Sequence, residues 1–259
     1  MTDPIRFFQV SDESVVLTLN RPERSNALSL ELLERFSEHI DEIKANSKLR
    51  VVFLKAEGKN FCGGLDLKEA AESEAKARRM PALVVEILSK LRKLPQIVVT
   101  VAQGAARAGG GALIAASDLV IVTKNFDIAF PEVRRGLEPI LLFPLLRRKL
   151  SSSALSELLL TGNSVNAERA KQLGLVHKIV DDGREKDITH EFFHSILNAD
   201  MNAVRTSKEL ILVHEISTAG CSLEEEFARS LENHLVSWFS PSGREGVAAF
   251  LEKRNPKFE

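Results

Sequence analysis

Four short runs of branched and aromatic apolar residues constrain this chain more than any other feature. Val15-Val16-Leu17-Thr18-Leu19, Val51-Val52-Phe53-Leu54, Ile97-Val98-Val99-Thr100-Val101 and Leu119-Val120-Ile121-Val122 are apolar at odd and even positions alike. Side chains alternate between the two faces of a strand, so each run needs cover on both faces. After Asn20-Arg21-Pro22 the pattern changes, and Leu32, Leu33, Phe36, Ile40 and Ile43 recur at helical spacing. Covered strands alternating with helices predict an α/β chain.

The composition agrees with a packed core. The chain has 259 residues, 44% of them hydrophobic, and 35 basic against 36 acidic side chains, a length that buries a core without disulfide or metal staples. A net charge of -1 supplies no global field for nucleic acid or an anionic membrane, so neither is expected as a partner. The first ten residues include Asp3 and no long apolar run, which predicts no secretory signal. The most apolar stretches, 112–122 and 139–146, are too short to span a bilayer. Two cysteines, Cys62 and Cys221, show no disulfide-framework spacing, so a reducing, cytoplasmic compartment is expected.

Toward the C-terminus the strand signal fades. Asn166 before Ala167-Glu168-Arg169-Ala170 and Gly174 after Leu173 read as the cap and stop of a short helix. Ser222 with Glu225 makes a capping box, and Phe227, Leu231 and Leu235 follow at four-residue spacing. A helical tail is predicted, with an apolar stripe suited to an intrachain core or a subunit interface.

Three segments concentrate chemistry-bearing residues. Phe61-Cys62-Gly63-Gly64-Leu65-Asp66-Leu67-Lys68-Glu69 follows a strand and opens a helix, where paired glycines bring unpaired backbone N–H groups near a ligand, or simply make a turn. Gln103-Gly104-Ala105-Ala106-Arg107-Ala108-Gly109-Gly110-Gly111-Ala112 repeats the arrangement without the G-x-G-x-x-G dinucleotide spacing. Two such loops could supply two converging N–H donors, as an oxyanion hole requires. In Phe130-Pro131-Glu132-Val133-Arg134-Arg135-Gly136-Leu137-Glu138-Pro139, Glu132 is a candidate acid or base if apolar surroundings raise its pKa; a surface ion pair with the neighbouring arginines is the competing reading. A fourth pattern, His190-Glu191-Phe192-Phe193-His194, fits the H-E-x-x-H zinc motif. Ile188, Phe192, Phe193, Ile196 and Leu197 form the apolar face of that helix, so His190 and His194 turn toward solvent, and the third ligand would have to be His214 or Glu215.

Together these segments resemble the crotonase family of acyl-coenzyme A enzymes over nearly the whole chain. Leu19 to Leu28 is similar to the family's N-terminal signature, Phe61 to Glu69 to its first oxyanion loop, Gln103 to Asp118 to its glycine-rich loop, Ala167 to Val180 to its A-x-x-A-x-x-x-G-L-V segment, and Arg244 to Leu251 to its C-terminal helix. The resemblance implies a spiral of ββα units over residues 1–195, followed by a helical subdomain over 196–259 that assembles a homotrimer or a hexamer. It implies an acyl-CoA thioester as substrate and no separate cofactor, coenzyme A being part of the substrate. By position, the backbone N–H groups of Leu65 and Gly109 would hold the thioester oxygen. Glu132 would serve as acid/base, and Asp66, Leu67, Lys68, Arg24, Ala27 and Gly110 would contact the substrate.

One position departs from the family's pattern. Family hydratases use two glutamates, and the position of the first holds Ala112, whose methyl group cannot activate water. Three readings follow. Glu132 alone could move a double bond, Glu138 could replace the missing carboxylate and restore hydration or dehydration, or the fold could bind an acyl thioester without turnover, with Arg107 recognising it or standing as an exposed charge. A zinc hydrolase built on His190, Glu191 and His194 is the rival outside the family.

Overall fold

The computed structural model describes residues 3–258; the first two residues of the N-terminal segment read above lie outside them. β1 (Ile5–Ser11) and β2 (Ser14–Leu19) lead to α1 (Leu30–Ala45), β3 (Val51–Ala56), the short α2 (Leu67–Ala70) and α3 (Glu74–Lys93). β4 (Ile97–Ala102), β5 (Ala105–Arg107), α4 (Gly109–Ala116), β6 (Leu119–Thr123) and β7 (Asp127–Ala129) follow. α5 (Phe143–Lys149), α6 (Ser152–Thr161), β8 (Val165–Asn166), α7 (Ala167–Gln172) and β9 (Lys178–Val180) complete the mixed part. The tail is α8 (Glu185–Leu197), α9 (Met201–Ala219), α10 (Leu223–Phe239) and α11 (Pro241–Leu251).

The fold is mixed α/β with C-terminal helices, as the alternation predicted. Six strands form one sheet in the order β1-β2-β3-β4-β6-β9, parallel except for the β1–β2 hairpin. β3 and β4 are covered on both faces. Val52 and Leu54 join the main core with α1 and α3, while Val51, Phe53, Val99 and Val101 join a second core with Ile188, Phe192, Phe193 and Ile196 of α8. A small second sheet, β5-β7-β8, stands apart from the first.

Several local expectations hold. The Asn166 side chain accepts from the Arg169 N–H at the start of α7, and Ser222 and Glu225 make the reciprocal capping box of α10. Others change. The 70–82 segment, which sequence alone leaves open, runs into α3 from Glu74 onward with Pro81 inside the helix. Proline removes one helical N–H, a loss outweighed here by burial of Met80, Leu83, Val84, Ile87 and Leu88 along the same face. The 195/196 position lies within α8. Buried charges tie α9 to its neighbours: Lys208 meets Asp118, just before β6, at 2.5 Å, and Glu215 meets Arg92 of α3 at 2.7 Å. No helix among the described residues is long and apolar enough to cross a membrane.

Candidate active site

The Phe61–Asp66 segment is laced between two other stretches of backbone. On one side the Leu28 N–H donates to the Gly64 carbonyl at 2.8 Å and the Asp66 N–H to the Leu28 carbonyl at 3.0 Å. On the other, the Cys62 N–H donates to Ala105 at 3.1 Å and the Arg107 N–H to Cys62 at 2.9 Å. Because Gly64 and Asp66 bond toward Leu28, alternation of the extended chain turns the Leu65 N–H the other way. Gly64, at φ +89°, makes this turn possible, and a Cβ there would meet the Arg107 carbonyl oxygen at 2.9 Å.

Asn26 holds the whole crossing. Fully buried at φ 54°, its side chain accepts from the Arg21 N–H and donates to the carbonyls of Glu57 and Asn60. Within the Leu19–Leu28 signature, Asn26 thus ties Arg21 to the 57–60 segment.

Gly109 is the first residue of α4, where helix geometry leaves N–H groups without intrahelical acceptors. It adjoins Leu65 closely enough that a Cβ on Gly109 would lie 3.9 Å from the Leu65 nitrogen. Among the described residues, neither the Leu65 nor the Gly109 N–H donates to a protein acceptor. Ala108, just before Gly109, sits at φ 46°, ψ -114°, a conformation that strains any residue with a Cβ. The glycine run has a packing cause as well, since a Cβ on Gly110 would lie 2.4 Å from the Cys62 carbonyl oxygen.

One cavity gathers the candidates. Leu65, Gly109 and Glu132 line it with Leu67, Glu138 and Arg135, and α3 and α10 contribute apolar and aromatic wall. Glu132 opens a single 3-10 turn, Glu132–Arg135. Its Oε2 is buried with no hydrogen-bond partner among the described residues. Burial pushes its carboxyl up to about 7, against the opposing pull of a backbone hydrogen bond and of Arg135. The ion-pair reading of Glu132 fails: Arg134 turns away to the Thr161 carbonyl, and Arg135 lies over the Phe250 ring at 4.6 Å.

The remaining candidates divide. Leu67 lines the cavity, whereas Asp66, Lys68, Arg24, Ala27 and Gly110 are not part of its lining. Asp66 caps α2 and pairs with Arg21 at 3.3 Å, and the Ala27 carbonyl accepts from Arg21 at 2.6 Å. Lys68 and Arg24 are exposed. Ala112 is fully buried, outside the cavity. Arg107 is paired with Asp127 at 2.5 Å, so it is not a free charge beside the two N–H groups. Cys62 is buried and its thiol is pushed up to about 12 by that burial, which makes it inert. His190 and His194 lie side by side on an exposed helix face, Nε2 to Nε2 2.8 Å, and no group of three or more His, Cys, Asp or Glu among the described residues could hold a metal.

Sequence reasoning missed His234. The spacing Phe227, Leu231, Leu235 places Leu235 on the buried face of α10, but a helix has 3.6 residues per turn, so each step of four rotates about 40° onward. The buried series is instead Phe227, Ser230, His234, Ser237 and Trp238, and His234 and Trp238 line the cavity.

Residues 11–259 match the family model described as enoyl-CoA hydratase/isomerase. The chain is similar to a trans-2-decenoyl-acyl-carrier-protein isomerase of Streptococcus mutans, 31% identical over 97% of this chain and 96% of the relative. It is also similar to a carnitinyl-CoA dehydratase of Proteus mirabilis, 29% identical over 94% of each chain. A crystal structure of an enoyl-CoA hydratase from Mycobacterium avium superposes with a TM-score of 0.86 at 25% identity, covering 99% of both chains.

Proposed function

The chain belongs to the enoyl-CoA hydratase/isomerase family, and we propose that within it this protein moves a carbon–carbon double bond along an acyl-CoA thioester. The thioester oxygen sits between the N–H groups of Leu65 and Gly109. The Glu132 carboxylate removes a proton from the α carbon of a β,γ-unsaturated thioester. The electron pair left behind passes into the carbonyl, forming a dienolate whose negative oxygen is held by the two N–H donors. The Glu132 carboxylic acid then returns the proton to the γ carbon, the α,β double bond forms and the carboxylate is restored. No water enters or leaves, and no separate cofactor is proposed.

One observation carries this reading. The cavity holds a single buried, unpartnered carboxyl oxygen, on Glu132, while the methyl of Ala112 lies outside it. A carboxyl shifted to about 7 is matched to both removal and return of a proton near neutral pH. The N–H pair is supported by its geometry, since a donor of this kind contributes roughly 3 kcal/mol to barrier lowering.

A second reading has its own support. Glu138 lines the same cavity, so it could hold the water that Ala112 cannot, giving hydration or dehydration. A panel of unsaturated acyl-CoA thioesters followed by mass in deuterium oxide separates the two, because hydration adds the mass of water and isomerisation exchanges deuterium alone. Loss of both products in Glu132→Gln supports either reaction. A wild-type protein that binds the thioesters and turns over none would leave only non-catalytic binding. Subunit assembly as a trimer or a pair of trimers is proposed through exposed Leu210, Ile211 and Val213 of α9, with solution mass by light scattering as its measure.

A further inference from the structure

Among the polar groups of the cavity wall that the proposed reaction leaves unused, His234 is the one with both its polar side-chain atoms buried and unpaired among the described residues. His234 is only 7% exposed, lines the cavity, and among the described residues has no hydrogen-bond partner on either ring nitrogen. Pro81 and Val84 of α3 and Leu141 and Leu142 of the segment before α5 share the cavity wall with it, and the ring centroid of Trp238 lies 6.1 Å away. Burial lowers its pKa to about 4, so the ring is neutral. A neutral imidazole carries one N–H donor and one bare nitrogen acceptor. Buried polar atoms in native proteins are nearly always paired, so two unpaired on one ring call for a partner that enters the cavity.

We propose that His234 is a specificity-determining residue that selects acyl thioesters bearing a hydroxyl group on the acyl chain, away from the thioester carbonyl. The proposal rests on the reading of this cavity as an acyl-CoA site. A plain alkyl chain leaves both nitrogens unpaired and displaces whatever water could reach them. A hydroxyl donates to the bare nitrogen or accepts from the N–H, and in doing so satisfies a buried polar group that hydrocarbon cannot. Sites built to hydrogen-bond a substrate hydroxyl discriminate strongly against the analogue that lacks it, because the protein groups are then left buried and unpaired.

Binding separates this from the reaction chemistry. Titration calorimetry compares hexanoyl-CoA with its counterparts hydroxylated at the fourth, fifth or terminal carbon, none of which has a double bond to migrate. The wild-type protein is expected to bind at least one hydroxylated probe about tenfold or more tightly than hexanoyl-CoA, and His234→Leu to erase that ratio. His234→Asn, which keeps a donor and an acceptor, retains part of it, and His234→Phe serves if the leucine variant does not fold. A merely structural role would lower the melting temperature without moving the ratio. The inference is overturned if hexanoyl-CoA binds as well as every hydroxylated probe, or if the ratio survives in His234→Leu and His234→Phe. Failure to bind any of these thioesters defeats the acyl-CoA reading itself, an outcome distinct from equal binding.

Discussion

The two sides of the cavity are made in different ways. The N–H side, Leu65 and Gly109, is backbone held by crossing hydrogen bonds that involve Leu28, Ala105 and Arg107. The carboxyl side is one side chain on a 3-10 turn, with Arg135 of that turn packed on Phe250 of α11. The first side depends on where glycines allow backbones to meet; the identity of the Leu65 side chain does not enter. The second depends on a particular functional group and on the apolar cover that changes its proton affinity. Backbone donors need only be aimed, whereas an acid/base must also be tuned.

The largest expected effect comes from removing the tuned group. Glu132→Gln keeps size and polarity but cannot take a proton, and should lower kcat/KM for double-bond migration about 10³-fold, within the range of general acid–base contributions. The assay is deuterium exchange and product formation at saturating and limiting thioester. An unchanged rate would move the chemistry to Glu138.

Tuning has a thermodynamic counterpart of nearly the same size. An unfolded glutamate ionises near 4.5, and Glu132 in the folded protein near 7. Between those values the folded protein keeps a proton that the unfolded chain has lost, so stability falls as pH rises and levels off above about 7. The contribution of this one group is about 3 kcal/mol at most. Urea melts of the wild type at pH 5 and pH 8 should differ by that component more than melts of Glu132→Gln do. Activity runs in the opposite direction, rising through about 7 as the basic carboxylate forms.

The N–H side predicts a smaller, differently shaped loss. In Gly64→Ala the new methyl meets the Arg107 carbonyl oxygen at 2.9 Å in a backbone at φ +89°, so the Leu65 N–H must shift. A loss of about 10² in kcat with little change in KM is expected, the signature of a donor that acts on developing charge. An equal fall in binding of a saturated thioester would instead mark Leu65 as a ground-state contact.

Legibility in the sequence follows the same division. β2, β3, β4 and β6 are plain because doubly covered strands have no polar face, and the N–H loops are plain because glycine runs are conspicuous. The second sheet is not: β5 and β7 are three residues each and β8 two, too short for periodicity to register. The glycine run reads as a place of close approach without showing to what, and at Gly110 the close neighbour is Cys62. Glu132 looks like an ion-pair partner because Arg134 and Arg135 adjoin it in sequence, but folding sends Arg134 to the Thr161 carbonyl and lays Arg135 over Phe250, where it acts on the carboxyl only through its charge. His234 is hidden by a more general cause. A four-residue apolar spacing drifts around the helix, and the wall of the cavity is decided by which drifted face packs on α3.

The smallest expected effect tests whether the N–H side is strained or merely well packed. Ala108 precedes Gly109 at φ 46°, ψ -114°, where a Cβ crowds the backbone, and its methyl stands 3.1 Å from the position of a Cβ on Gly64. If the conformation is imposed by the Ala108 N–H to Ala129 and Ala112 N–H to Ala108 bonds, both near 3 Å, Ala108→Gly should relieve strain and stabilise the protein by about 1 kcal/mol despite the added freedom of the unfolded chain. The urea midpoint should rise with an unchanged slope. The fall in kcat should be slight, because the two hydrogen bonds still aim the Gly109 N–H. A lower midpoint together with a kcat loss approaching that of Gly64→Ala would mean that the methyl itself braces the crossing. The N–H side would then depend on a side chain after all, as the carboxyl side does.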